Sequence, residues 1–466
     1  MPPLAHDFVD GEVSFWFRQL GGAPARRAAL PGDRDADVAI VGAGLTGLWA
    51  AYYLSREQPD LRIVVLEREF AGFGASGRNG GWLSARVPGQ LARFAATHGT
   101  DGAVAFQRAL MGAVGEVADV LAAEGIDADL HRSGVVQVAT NAAQWERLRE
   151  ETAGLRRFGW GSEDLLELSP AELAARVWVP GAVGGTWSPH GARVQPARLV
   201  RGLAAAAERA GVTIFEGTTV ERVRPGLVET DHGAVRAPVV LRALEGFTAG
   251  LPGLRRQWLP MSSSMIATVP LPDEVWGRIG WRDAELFGDT AHGFAYAQRT
   301  ADGRIALGGR AVPYRYASAT DRRGETRGST VDQLRAMLAR LFPDAARVPV
   351  EHAWSGVLGV PRDWCGTVGL DPATGLGWAG GYVGHGVASA HLAGRTLADL
   401  VLRRDTERVA LPWVGRRVRR WEPEPLRWTA VHGLYRAYAA ADRRESRPGV
   451  AHTSRIATVA DRITGK

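Results

Sequence analysis

Short apolar runs and longer amphipathic stretches alternate through the first third of the chain. "DVAIV" at 37–41 and "RIVVL" at 62–66 are β-branched and brief, as buried strands read. Between them, 45–56 is apolar and alanine-rich, as a packed helix would be. Together the three segments predict a βαβ unit with a parallel strand pair. A further helix is predicted over 108–124. Leu110, Val114, Val117 and Leu121 fall on one face at i, i+4, i+7 and i+11, and Gly125 stops it.

Further along, "QPARLVRGLAAAAERAG" at 195–211 predicts a helix with Pro196 near its start and Gly211 past its end. "VTIFEG" follows as a strand. "TTVERV", "GLVET", "DHG" and "PVVLRAL" read as a small antiparallel meander with a glycine turn. Residues 255–320 are strand-like and carry aromatics and arginines. The segment 331–341 predicts a helix faced by Leu334, Met337, Leu338 and Leu341. Thr330 and Gln333 suggest its capping box, and Pro343 ends it. A last helix is predicted from about Gly386 to Leu402, with a polar helical tail after 411. Parallel and antiparallel patterns thus alternate, which suggests a nucleotide-binding domain interrupted by an antiparallel one.

Composition changes this picture little. At 466 residues, the chain is too long for one simple core. No apolar run of eighteen or more residues occurs, so no membrane span is expected. The N-terminus lacks the basic-then-apolar pattern of a signal peptide, and a cytoplasmic location is expected. The single cysteine, Cys365, excludes an internal disulfide framework and a multi-cysteine metal site. The net charge of +6 rests almost wholly on arginine, since Lys466 is the one lysine. The basic residues are scattered apart from "GRRVRR" at 415–420, which reads as a solvated helix face. Nucleic-acid binding is therefore not expected.

The chemistry sits in three glycine clusters. Gly42, Gly44 and Gly47 form G-x-G-x-x-G between the first strand and its helix. The first permits the tight turn, the second a close backbone approach to pyrophosphate, and the third close helix–strand packing. Glu67 ends the second strand, twenty residues after Gly47. Its carboxylate suits ribose hydroxyls and repels a 2′-phosphate, which points to FAD or NAD rather than NADP. The second cluster, "GASGRNGG" at 74–81, offers main-chain amides together with Ser76, Arg78 and Asn79. NAD ends too soon to need a second loop, whereas FAD extends further. The third cluster, Gly380, Gly381, Gly384 and Gly386, precedes the last helix. A helix N-terminus aimed at a flavin stabilises the negative charge of reduction.

These residues carry a family resemblance. "DVAIVGAGLTGLWAAYYL", Glu67, "GFGASGRNGG", "GARVQPARLVRGLA", the W-x-G of Trp354 and Gly356, and "GYVGHGVASAHLAGRTLADL" resemble the D-amino acid oxidase and sarcosine oxidase superfamily. The γ-glutamylputrescine oxidoreductase-like branch is the nearest in look. The resemblance covers roughly residues 35–403. It implies an α/β plus α+β protein: a glutathione-reductase-type, Rossmann-like FAD-binding domain interleaved with an antiparallel-sheet substrate domain. The expected FAD domain is 1–90, 191–248 and 352–440. The substrate domain is 91–190 and 249–351, and 441–466 is a tail. The resemblance also implies oxidation of a C–N bond by hydride transfer to flavin N5, giving an imine that water hydrolyses.

The expected FAD contacts are Gly42, Ala43, Gly44, Leu45, Thr46, Gly47, Glu67, Arg68, Gly74, Ala75, Ser76, Arg78, Asn79, Gly80 and Gly81. Val220, Gly246, Gly381, Tyr382, Gly384, His385, Gly386 and Val387 complete them. Departures from the family matter as well. Relatives that oxidise amino acids often carry an arginine two residues after the W-x-G glycine. Leu358 stands there, which favours an amine whose anionic group, if any, lies elsewhere over an ordinary α-amino acid. Ala306 takes the place of the lysine that sarcosine oxidases use for oxygen, so O₂ or another electron acceptor stays open. Cys365 lies off the position used for covalent attachment, so non-covalent FAD is expected. "RALEG" at 242–246 replaces a typical "ATG".

For substrate, the candidates are His385, Arg310, Tyr296 and Trp354. A structural histidine, a surface ion pair and plain core aromatics are the competing readings of these four. Arg362 and Asp363 are expected to pair with each other. "FGDTAHG" at 287–293 mimics a flavin motif of aromatic hydroxylases but falls inside the expected substrate domain. It motivates the alternative of an NAD(P)H- and O₂-using flavin monooxygenase. A flavoprotein without enzymatic activity is the third class. No metal is expected.

Overall fold

The two β-branched runs form Val38–Val41 and Ile63–Leu66, buried on both faces, as a covered parallel pair requires. They sit in a six-stranded sheet. Its order is Thr213–Phe215, Ile63–Leu66, Val38–Val41, Val239–Arg242, Leu376–Gly380 and Thr367–Asp371. All neighbours are parallel except the last pair. In this computed structural model, residues 1–309, 314–320, 323–447 and 449–464 are described. "PVVLRAL" therefore does not close the meander. Val239–Arg242 fills the gap between Val38–Val41 and Leu376–Gly380, and Arg34–Asp35 completes the small sheet in its place.

The helix Leu45–Glu57 is buried along most of its length and packs between the sheet and its neighbours. Trp49 is fully buried, which is worth about 3 kcal/mol. Gly394, on the helix Gly386–Val401, lets that helix come close. A Cβ added there would lie 2.4 Å from Trp49 Cβ. Pro196–Arg209 covers the same layer, with Leu199, Val200, Leu203 and Ala207 inward.

A nine-stranded sheet lies against this unit. Its order is Leu4–Asp10, Val350–Val360, Leu259–Thr268, Ile305–Gly309, Ala295–Arg299, Leu286–Asp289, Val135–Ala139, Gly184–Ser188 and Leu166–Leu168. Two of its pairs are parallel, the first and the one joining Leu286–Asp289 to Val135–Ala139; the others are antiparallel. The expected domain limits do not follow the sheets. Leu4–Asp10 and Val350–Val360 pair inside the nine-stranded sheet. The helix Leu91–Ala123, by contrast, shares the core of the six-stranded side through Phe94, Phe106, Leu110, Val114, Val117 and Leu121. Gly99, with φ of 73°, kinks this helix, and the expected apolar face lies on the part after the kink.

Three local expectations are corrected. The helix Gly328–Leu341 begins before Thr330, so Thr330 is buried inside it and makes no cap. Residues 415–420 are not helical, and Arg416 donates to the carbonyls of Cys365 and Gly366 at 3.2 Å. Arg362 and Asp363 do not pair: Arg362 binds Glu422 at 3.1 Å, and Asp363 takes Arg416. Beyond residue 411, the chain forms the helices Leu426–Glu445 and Arg455–Thr464. Among the described residues, no helix is long and apolar enough to cross a membrane.

Candidate active site

A continuous cleft runs between the two sheets. At one end, its wall is main chain. Gly42, Gly44, Leu45 and Thr46 line it, followed by Glu67, Arg68 and the loop residues Gly74, Ala75, Ser76, Arg78, Asn79 and Gly80. Thr218, Thr219 and Val220 close one flank, and Tyr382, Val383, Gly384, His385, Gly386 and Val387 close the other. At the far end the wall is side chain: Trp82, Ser84, Ser263, Phe294, Tyr296 and Leu358.

The glycines explain the main-chain wall. Gly42 holds φ of 105°, which L side chains rarely adopt. Gly47 does not line the cleft. A Cβ there would lie 2.1 Å from Gly42 O, so its role is the close crossing of helix over turn. The helix Leu45–Glu57 therefore starts at the cleft wall with first-turn amides that have no partner within the helix. Ser76 Oγ takes one of them, accepting from Leu45 N at 2.8 Å.

Glu67 holds the turn as well as facing the cleft. Its Oε2 accepts from Ala43 N and its Oε1 from Glu69 N, each at 3.0 Å. Ala43 thus serves Glu67 from behind the wall. Burial pushes the Glu67 carboxyl above its ordinary range, while the two amides pull it back. Each carboxylate oxygen retains acceptor capacity for a hydroxyl.

The loop Gly74–Gly81 is held rigid from beneath. Ser14 Oγ donates to Gly77 O and Trp16 Nε1 to Asn79 O, both at 2.8 Å. Phe15, Trp16 and Phe17 are all buried under it. Ser76, Arg78 and Asn79, the expected side-chain donors, all line the cleft and also bond within the protein. Asn79 Nδ2 donates to Ser76 O at 2.8 Å, and its Oδ1 accepts from Gly81 N at 2.7 Å. Arg78 Nε donates to Phe73 O at 2.7 Å, with the guanidinium 4.4 Å from the Phe73 ring centroid. These side chains tie the loop together, and its residues line the cleft.

The third loop meets the first. Tyr382 Oη and Thr46 Oγ1 lie 2.9 Å apart, and burial raises the Tyr382 phenol. His385 is the N-cap of the helix Gly386–Val401 and makes no side-chain cap bond, so that helix also opens on the cleft. Glu245, of "RALEG", ties the loop to the nine-stranded sheet. Its Oε1 accepts from Tyr382 N at 2.9 Å, and its Oε2 from Gly359 N at 2.5 Å. Glu245 holds φ of 46° and lines the cleft. Burial pushes its carboxyl up to about 7 against those amide bonds.

Several expected contacts stand behind the wall. Gly81 abuts Gln298 and Val194, Gly246 abuts Val357 and Leu358, and Gly381 abuts Pro361. Their missing side chains permit packing there. Trp354 is corrected as a wall residue. It is fully buried, donates from Nε1 to Arg78 O at 2.9 Å, and stacks on Phe15. Ala306 is buried in the same aromatic layer. Arg310 lies outside the described residues. Tyr296 lines the far end, with its hydroxyl 2.8 Å from Ser263 Oγ and its ring edge-on to Trp82. The sequence reading missed Thr218, Thr219, Glu245, Phe247, Ser263 and Phe294. Thr218 and Thr219 directly precede the strand Val220–Arg224, so strand-end position was the one available signal for them. "FGDTAHG" begins in Leu286–Asp289, an interior strand of the nine-stranded sheet, where Asp289 pairs with Arg340 at 2.9 Å. It is no flavin loop.

Two helix N-termini, a glycine-rich loop and a carboxylate at a strand end make a set of hydrogen-bond donors and an acceptor. It suits a pyrophosphate, a flavin and a ribose diol respectively. The family comparison agrees. The profile described as FAD dependent oxidoreductase matches residues 37–400, and the chain belongs to that family. Its cofactor is FAD. The chain is 30% identical over 398 residues to a probable oxidoreductase OrdL of Rhizobium meliloti, covering 81% of this chain and 86% of that protein. It is also 30% identical over 380 residues to γ-glutamylputrescine oxidoreductase of Escherichia coli, covering 80% and 84%. Among solved structures, glycine oxidase from Geobacillus kaustophilus superposes with a TM-score of 0.66 at 24% identity, over 80% of this chain and 96% of that one. That likeness bears on the fold.

Proposed function

We propose that this protein oxidises the C–N bond of a small amine or amino-acid-like substrate. Non-covalently bound FAD supplies the acceptor for a hydride from the carbon beside nitrogen, and the resulting imine is hydrolysed by water. In this reading, the six-stranded side binds FAD through Gly42–Thr46, Glu67–Arg68, the loop 74–80 and residues 382–387. The nine-stranded side shapes the substrate end.

The observation that carries the reading is the makeup of that end. Trp82, Phe294, Tyr296 and Leu358 give a largely apolar wall, with the Ser263–Tyr296 hydroxyl pair and Ser84 as its polar features. Such a wall excludes water and accepts a neutral amine. Leu358 offers no carboxylate clamp on the strand Val350–Val360. A neutral amine needs no strong base, so the residues have only to orient it. Tyr296 and Ser263 can hydrogen-bond its nitrogen. The N-terminus of Gly386–Val401, with His385 at its cap on the cleft wall, favours negative charge there.

The test is an anaerobic screen of the FAD-loaded protein. Primary and secondary amines, amino acids and aminophosphonates are offered without NAD(P)H, and flavin absorbance is followed. Bleaching by amines supports the proposal. Reduction by NADPH alone, followed by O₂-dependent hydroxylation, would sink it in favour of a monooxygenase. The relatives' names support the amine reading: one acts on γ-glutamylputrescine and another, at 26% identity, on glycine. The same screen, repeated with O₂ and with artificial acceptors, separates oxidase from dehydrogenase.

A further inference from the structure

The family match ends at residue 400, yet the chain continues and returns to the cleft. Trp421 donates from Nε1 to Val360 O at 2.7 Å, at the end of the strand that carries Leu358. The helix Leu426–Glu445 then lays Val431 and Tyr435 into a cluster with Leu259, Met261, Val360 and Val383. Val383 itself lines the cleft. At its other end, the same helix grips a turn of the nine-stranded sheet. Asp442 accepts from His292 N and Gly293 N through its two oxygens, each at 2.8 Å. Glu445 Oε1 accepts from Ser454 N at 2.7 Å and lies 2.9 Å from His292 Nε2. Glu445 Oε2 accepts from Arg147 at 2.7 Å. Tyr438 stacks on the His292 ring.

His292, Asp442 and Glu445 present their ligand-type atoms within 4.8 Å of one another. All four carboxylate oxygens already accept from protein donors, so the cluster is a latch rather than a cation site. The residue that follows the latched turn is Phe294, on the cleft wall and packed on Tyr296.

We propose that the helix Leu426–Glu445 is a buttress that fixes the aromatic end of the cleft, and that Asp442 and Glu445 are positioning residues limiting the width of amine admitted there. The width limit rests on the reading of this end as the substrate end. With the latch intact, Phe294 and Val383 are held from behind and the wall stays narrow. With it cut, the 292–294 turn loosens and bulkier molecules reach the flavin.

The test uses full-length, FAD-loaded Asp442→Ala and Glu445→Gln. Iodide quenching of flavin fluorescence and hydrogen exchange at 290–296 need no substrate. Asp442→Ala should raise the quenching constant at least threefold and speed exchange at 292–294, with FAD affinity within twofold of the parent. Glu445→Gln keeps one acceptor on its carbonyl oxygen and should give a smaller rise in the same direction. If amines reduce the protein, KM should fall for branched amines relative to linear ones, with kcat little changed. Unchanged quenching and exchange with FAD bound overturn the proposal. So does loss of FAD in both variants, which would make the helix part of the cofactor hold. Should no amine reduce the parent, the functional reading fails, while quenching and exchange still decide whether the helix is a buttress.

Discussion

Around Gly42–Thr46, Gly74–Gly80 and Tyr382–Val387, the cleft wall is backbone. Around Trp82, Ser263, Phe294, Tyr296 and Leu358, it is side chain. In the first region, Gly42 and the Gly47 behind it cannot take a side chain without moving main chain. The second can change a side chain and keep its strands in place. A long cofactor with fixed atoms suits the first kind of wall, and a variable small molecule suits the second. The two regions should therefore answer differently to substitution: loss of fold and FAD at one end, altered substrate preference at the other.

The largest effect is expected from Gly47→Ala. The added Cβ would meet Gly42 O at 2.1 Å, a backbone atom that cannot rotate away. The helix must shift off the turn, at a cost of about 3 kcal/mol. FAD affinity should fall roughly 100-fold with it. Thermal unfolding and flavin content on purification check both. A melting temperature within a degree of the parent, with full flavin, would remove the rigid end from the comparison.

Glu67→Ala comes next. It removes the acceptor of Ala43 N and Glu69 N as well as the carboxylate facing the cleft. Hydrogen bonds to a charged group are worth about 2 kcal/mol, so FAD should bind roughly 30-fold more weakly. Glu67→Gln keeps one acceptor oxygen and should lie between. If fluorescence titration shows the two variants equal to the parent, the carboxylate has no part in holding the cofactor.

The same contrast explains what was legible in the sequence. A backbone wall demands glycine at fixed spacing, so 42–47, 74–81 and 380–386 stand out along the chain. The buried face Leu110, Val114, Val117 and Leu121 shows for a similar reason, since helix geometry repeats it. The far wall has no such repeat. Ser263, Phe294, Tyr296 and Leu358 come from separate segments that meet only when the nine-stranded sheet assembles. Phe15–Trp16–Phe17 looks merely apolar until the loop 74–81 lies on it. Val239–Arg242 carries the same local pattern as its meander neighbours, and only the gap in the parallel sheet decides its place.

Glu245 joins the two regions, and pH should expose it. Its folded carboxyl titrates near 7, against an ordinary value of 4.5. A raised value means that the unfolded chain ionises first. The contribution of Glu245 to stability is thus complete below pH 4.5 and lost as pH rises to 7. The loss amounts to about 3 kcal/mol across that window. Glu445 has the opposite sign. Its carboxyl is lowered to about 2 by His292, Ser454 and Arg147 against the cost of burial, so its contribution is present above 4.5 and lost toward 2. Glu245→Gln should flatten the fall between pH 4.5 and 7 and leave the acid limb below 4.5 intact. Urea unfolding over that range measures it. A parent and variant that run parallel would show that Glu245 does not titrate there.

The smallest effect belongs to the side-chain end. Tyr296→Phe deletes the hydroxyl 2.8 Å from Ser263 Oγ and keeps the ring against Trp82. Ser263 is half-buried beside the cleft, so a water can replace the lost partner. The net cost is about 1 kcal/mol. If the pair orients the amine nitrogen, KM should rise roughly fivefold with kcat little changed, because the interaction is made in the ground state as well. FAD affinity should stay at the parent value, since the ring and the loop beneath it are untouched. A fall in kcat with KM constant would instead place the hydroxyl in the reaction itself. A fall in FAD affinity would show that the two ends of the cleft are not separable at Tyr296. Ser263→Ala distinguishes these cases, because it removes the same hydrogen bond from the other side and keeps the phenol on the cleft wall.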